Sequence, residues 1–179
     1  MNATQTHRKV LVHMVGASTE RPADTIRKAR KWLSMTESIL ARIERELDAL
    51  DARHQEICGA DDEVRQEYEN ALRDPEQNWQ TRRLLRYRYY QLCAKRSSLR
   101  MQRAVMKLDR INAAHIVDYA HDRLVATAEQ ILVRDGRLPH DATRVTFHYS
   151  GADANIVAHW GDTQFTISPD GIVHARTIA

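Results

Sequence analysis

Residues 79–110 read WQTRRLLRYRYYQLCAKRSSLRMQRAVMKLDR, and their reading decides the fold. Ten of them are Lys or Arg (Arg82, Arg83, Arg86, Arg88, Lys95, Arg96, Arg100, Arg103, Lys107 and Arg110) against one acid, Asp109, and neither Gly nor Pro interrupts them. That composition predicts a long, strongly basic helix. Leu85, Leu92, Leu99, Met106, Ala113 and Ala120 hold one heptad position, while Tyr89, Arg96, Arg103 and Arg110, and then Val117, Leu124 and Ile131, hold its companion. The seam is therefore half polar at first and fully apolar later. A second stripe, Ala94, Met101, Val105 and Leu108, falls on nearly the opposite face, because residues two apart on a helix differ by about 200°. A helix with two apolar faces needs two neighbours. Residues 80–133 are expected to form the central rod of a helical bundle, with a kink or break near Asn112.

Upstream the charge reverses. Residues 44–76 hold twelve acids and four bases, so this block is as negative as the basic helix is positive, and the formal total of +3 conceals the polarity. Ile26, Leu33, Leu40, Leu47 and His54 repeat every seven residues, with Thr36, Ile43, Leu50 and Ile57 as companions, which predicts a coiled-coil-like helix over 25–57. Trp32, Met35 and Ile39 add a second apolar patch near its start. Gly59 is expected to stop this helix, Asp61 or Asp62 to cap a short one through Leu72, and Asp74-Pro75 to break the chain before the basic helix. In the N-terminal segment, residues 1–23, Val10 to Val15 form a short β-prone run ended by Gly16. That run is too short for a secretory leader, and no segment reaches the roughly 20 apolar residues that a membrane span requires.

Downstream the period changes. Residues 134–143, with Gly136 and Pro139, read as a linker. Over 144–179 Val145, Phe147 and Tyr149, then Ile156, Ala158 and Trp160, then Phe165 and Ile167, and finally Ile172 or Val173 alternate between Gly- and Asp-containing turns. The expected fold class is α+β, predominantly α. A long antiparallel helical hairpin or three-helix bundle, coiled-coil-like, over 24–133 precedes a small C-terminal antiparallel β-meander. Four strands alone are marginal, so the apolar face of the meander must rest on the helices or on a partner.

Three constellations carry candidate chemistry. The ten bases of residues 79–110, with Trp79, Tyr87 and Tyr90 (and Tyr89) as stacking surfaces, suit a nucleic-acid backbone. The acidic block offers a competing explanation, since a hairpin pairs the two blocks internally. The heptad arginines Arg96, Arg103 and Arg110 decide between these readings: met by acids they are structural, and exposed in a row they form a binding surface. His115, Asp118 and Asp122 share one helical face, and in the meander His148 and His159 both point outward if Phe147 and Trp160 point inward, with His174 of the fourth strand as a third candidate member of that set. Either set supplies metal-ligand chemistry, although neither has the spacing of a known metal motif. His121 reads as an ordinary core histidine beside the seam.

Dinucleotide, P-loop and nucleophile-elbow motifs are absent from the sequence, and no cofactor is implied. Two cysteines, Cys58 and Cys93, without CxxC spacing suit a reducing cytoplasm. The functional expectation is a non-catalytic macromolecular binding protein: an adaptor, inhibitor or accessory factor of a nucleic-acid-processing or other complex, homodimeric and with a protein partner. The alternatives are direct nucleic-acid binding by the basic helix and a metal-dependent enzyme built on the His and Asp clusters.

Overall fold

The seam that begins at Ile26 does not stop at Gly59. In the computed structural model, which describes residues 22–149 and 155–178, helix α1 runs unbroken over Pro22–Arg73 and helix α2 over Trp79–Arg134. The expectation of a stop at Gly59, a cap at Asp61 or Asp62 and a separate short helix is corrected. The reason lies in the phase: the steps of three and four that reach Ile57 continue through Asp61, Val64, Tyr68 and Ala71, and all four are buried or half-buried. A glycine costs a helix about 1 kcal/mol, which an uninterrupted seam on both sides outweighs. Gly59 itself faces open space, with nothing within 4 Å of where a Cβ would stand. Gly59→Ala is therefore expected to stabilise the chain by about 0.5–1 kcal/mol, measured by urea denaturation. A loss of stability would mean that Gly59 serves something other than the helix.

Asp74-Pro75 does end α1. Asp74 N–H closes the helix on Asn70 C=O at 3.1 Å, and Asn78 Oδ1 accepts from Gln80 N–H at 3.0 Å, which caps α2. The break expected near Asn112 is absent, since α2 is continuous across it. The described helices are thus a hairpin of two, packed antiparallel. The Val10 to Val15 run lies outside the described residues.

The sheet follows the expected meander: β1 (Thr146–Tyr149), β2 (Ile156–Trp160), β3 (Thr163–Ile167) and β4 (Val173–Thr177), antiparallel in that order. Gly136, at φ 67°, ends α2 in a two-bond cap, with its own N–H on Val133 C=O and Arg137 N–H on Leu132 C=O. Within the segment read as a linker, Leu138 is buried in the core. Gly161 (φ 57°) and Gly171 (φ 76°) take the left-handed positions of the last two turns, where a Cβ would strain the backbone.

Contacts divide the described residues into two units. The first, 22–38 with 115–178, holds the core: Ile26, Ala29 and Leu33 of α1, Ala120, Leu124, Ala128, Ile131 and Leu132 of α2, and Ile156, Ala158, Phe165 and Ile167 of the sheet. The apolar face of the meander thus rests on its own helices. Thr36 and Thr127 sit in this interior with their hydroxyls donating to Leu33 and Arg123 carbonyls at 2.8 Å, so neither leaves a buried polar group unmet. Trp32 meets Tyr119 edge-on and lies under the Arg123 guanidinium, which accounts for part of the patch at the start of α1. The second unit, Ile39–Ala114, holds the half-polar part of the seam.

Candidate macromolecular interface

The three heptad arginines meet acids. Arg96 Nη1 donates to Asp61 Oδ2 at 2.8 Å, Arg103 Nε pairs with Asp51 Oδ1, and Arg110 Nε donates to Glu44 Oε1 at 3.2 Å. Each step toward the C-terminus of α2 meets an acid nearer the N-terminus of α1, as antiparallel packing requires. Asp51 and Glu44 follow the seam residues Leu50 and Ile43 by one position and stand at its rim. Asp61 instead occupies the seam, and its side chain is 5% exposed. Its other oxygen accepts from the Cys93 thiol at 3.7 Å, and Tyr68 stacks on Tyr89 one step further along. The hydrogen bond to Asp61 is the first cause that raises the Arg96 pKa above its ordinary value. All three arginines are thus met by carboxylates of α1, Arg110 at an exposed position and Arg96 and Arg103 closer to the seam.

Asp61 as a seam acid was legible and was missed. It lies seven residues after His54, so extending the heptad by one repeat would have found it.

His54 shares this polar stretch. Desolvation first, then the guanidinium groups of Arg103, Arg100 and Arg96, lower its pKa, and Asp51 opposes them only in part. The unfolded chain therefore takes up this proton first as the pH falls. The contribution of His54 to stability is complete above its ordinary value of 6.5 and is lost as the pH drops through that value toward the depressed folded one. Melting temperature is expected to fall between about pH 7.5 and about pH 5.5, and more steeply than in a His54→Leu variant. Identical slopes would remove His54 as the cause.

The remaining bases, Arg82 excepted, face outward. Arg83 lies over the Trp79 ring at 5.9 Å and Arg86 over Tyr90 at 5.5 Å, so two of the four aromatics offered for stacking already carry an intrachain cation. Arg82 donates to the Asp74 carbonyl, tying the start of α2 to the turn. Arg88, Lys95 and Lys107 are exposed, and Arg100 borders a crevice of about 260 Å³ with Asp61, Arg65, Tyr89, Cys93 and Arg96. Beside this charge stands the second stripe: Tyr87, Met101, Val105 and Leu108 are exposed, Met101 by 73%. Between the helices of this unit a groove of about 590 Å³ is lined by Ala49, Leu50, Met101, Val105 and Met106, with Glu46, Arg53 and Gln102 as its polar members.

Strand alternation turns His148 and His159 to the outer face of the sheet, with ring centroids 5.8 Å apart. His174 shares that face, but the register carries it from His148 through Val157 and Thr166, three strand spacings or about 14 Å away. His115 and Asp118 are exposed and Asp122 half-buried along one face of α2. No group of three or more His, Cys, Asp or Glu among the described residues is arranged to hold a metal ion. His121, expected near the core, is exposed.

Comparison with protein-family models, with curated proteins and with solved structures returns no match. The outward face of α2 within Ile39–Ala114 is the surface on which a functional reading has to stand. No described helix is long and apolar enough to cross a membrane.

Proposed function

We propose that this chain is a non-catalytic binding protein, an adaptor, inhibitor or accessory factor that docks on another macromolecule and modulates it while working as a homodimer. One observation carries the reading: α2, already packed on α1 along its seam, presents a second stripe of large apolar side chains flanked by six cations. Arg83, Arg86, Arg88, Lys95, Arg100 and Lys107 are held by no carboxylate among the described residues. Contiguous exposed apolar surface marks interaction sites, here of one copy with another, while the cations along its border stay open to select an acidic partner and speed its encounter. The half-buried free thiols Cys58 and Cys93 suit a reducing, cytoplasmic setting.

A photo-crosslinker placed at Arg88 or Lys95 in a nuclease-treated extract of the native host tests the reading. A discrete adduct with a different protein is expected, weakened when the neighbouring cations are reversed to Glu. Adducts with nucleic acid alone, or with none but the chain itself, would defeat it.

The same six cations favour a second reading, direct nucleic-acid binding. Six phosphate contacts on a duplex imply that log K falls with log salt at a slope of about −5. Substituting Arg103 or Arg110, whose charges Asp51 and Glu44 already meet, is expected to leave that slope unchanged, while Lys95→Gln lowers it by about one. Absence of a gel shift at low salt would exclude this reading.

A further inference from the structure

The second stripe of α2 has the same spacing in both directions, and its residues match in size at three of four pairs. Stepping by three and four outward from the level of residue 96, Ala94 balances Ser98, Gln91 balances Met101, Tyr87 balances Val105 and Leu84 balances Leu108. Small side chains lie at the centre and large ones at both ends, at the spacing of a coiled-coil seam. Leu84, Tyr87, Met101, Val105 and Leu108 are each more than half exposed, so this seam has no partner among the described residues.

We propose that a second copy of this chain covers the stripe, packed antiparallel on α2 across a twofold axis at the level of residue 96. A twofold interface joins a patch to itself, so residue i meets j and j meets i. Three of the four pairs match in size, Tyr87 with Val105 being the exception, and an unrelated partner would not require such matching. Ala94 and Ser98 let the two helices approach closely at the axis, and the large residues interlock on either side.

Charge along the helix fits the same register. The single acid of the basic stretch, Asp109, comes level with Arg83 of the copy, and the symmetry repeats that pair. Arg86, Arg88, Lys95, Arg100 and Lys107 come level with Met106, Ala104, Ser97, Leu92 and Leu85, so none of the six flanking cations faces another at its own level. Sliding one copy by a heptad in either direction takes Asp109 away from Arg83 of the copy.

Area points the same way. From Leu84 to Leu108 the stripe runs about 36 Å along a helix about 10 Å across, a few hundred Å² per copy. The adjoining groove, with Ala49 and Leu50 of α1 beside Met101, Val105 and Met106, extends the surface toward the roughly 800 Å² per partner of a stable complex.

The inference rests on reading the helices as a binding scaffold and names the face that makes the dimer. Its test uses the purified full chain with no other macromolecule present, so its failure and that of partner binding are separable. Sedimentation is expected to give twice the chain mass at micromolar concentration. Met101→Glu and Val105→Glu, which alter exposed side chains, are each expected to raise the dimer dissociation constant about a hundredfold or more while circular dichroism keeps its helical signal. With Cys58 and Cys93 replaced by Ser, a mixture of Ala94→Cys and Ser98→Cys chains is expected to form an intermolecular disulfide faster than either chain alone. A monomer at high micromolar concentration, a dimer indifferent to Met101→Glu and Val105→Glu, or a dimer without the mixed cross-link would each overturn the proposal. A dimer that passes these tests but captures no partner would defeat the functional reading and leave this face standing.

Discussion

Phe165→Ala is expected to destabilise the protein by about 3–5 kcal/mol, seen as a fall in melting temperature of roughly 10 °C or more. Phe165 is 4% exposed in the centre of the sheet, and its cross-strand neighbours on the inner face are Ala158 and Ala175. Neither alanine can fill the space that a benzyl group leaves, so the cavity stays open and its full cost is felt. Ile178, just beyond β4, offers the contrast. It is 44% exposed, and Ile178→Ala is expected to change stability by no more than about 0.5 kcal/mol. Thermal melts of the two variants decide whether the sheet is seated on its helices. Equal losses would show that the meander draws no stability from α1 and α2.

That seating also bears on how far the sequence could be read. Alternation in 144–179 placed Phe147, Ile156, Ala158, Phe165 and Ile167 on one face without any coordinates, because a strand has only two sides and the turns are marked by Gly and Asp. What covered that face was open, since period two says which residues turn inward and nothing of what they meet. His174 illustrates the same limit. Alternation left its direction open between the phases set by Ile172 and by Val173, and its distance from His148 depends on the order and register of the strands.

The helices show a different kind of gap. A glycine weakens a helix locally, which predicts a stop at Gly59, but that local cost is outweighed by the seam that continues beyond it. Val64, Tyr68 and Ala71 were read as a short helix of their own, although they continue the phase of Ile26 to Ile57 without a skip. Here the information was present in the spacing and the wrong term was given priority. For Arg96, Arg103 and Arg110 the sequence posed the alternatives correctly but could not choose between them. Choosing required the alignment of two helices, and a shift of one heptad would have put different acids opposite them. The outward stripe of α2 was legible in part, through Ala94, Met101, Val105 and Leu108. That it is exposed rather than covered by a third helix is a finding of the structure.

The pair at the centre of that alignment should behave oppositely when broken and when replaced. Asp61→Leu leaves the Arg96 guanidinium at the seam without its carboxylate, and Arg96→Leu leaves a nearly buried Asp61 without its cation. Arg96→Leu is expected to melt roughly 5–10 °C below the parent, because the nearly buried carboxylate it leaves has lost its hydration and receives nothing in return, and Asp61→Leu is expected to lose less, since the Arg96 side chain is 36% exposed. Asp61→Leu with Arg96→Leu converts the level into an apolar one, like those that Leu92 and Leu99 provide on either side. The double variant is expected to melt at or above the parent, since well-packed hydrophobic residues often match or exceed a buried ion pair. What it gives up is register. In the parent, a slide of one heptad separates Arg96 from Asp61 and Arg103 from Asp51, whereas two leucines accept the shifted level nearly as well. Cross-linking between engineered cysteines on α1 and α2, one pair set for the native register and one for the shifted register, measures this directly. The native pair alone is expected to close in the parent, and both pairs in the double variant. If the double variant melts as low as the single ones, the ion pair is itself a source of stability and the account of it as a device for register fails.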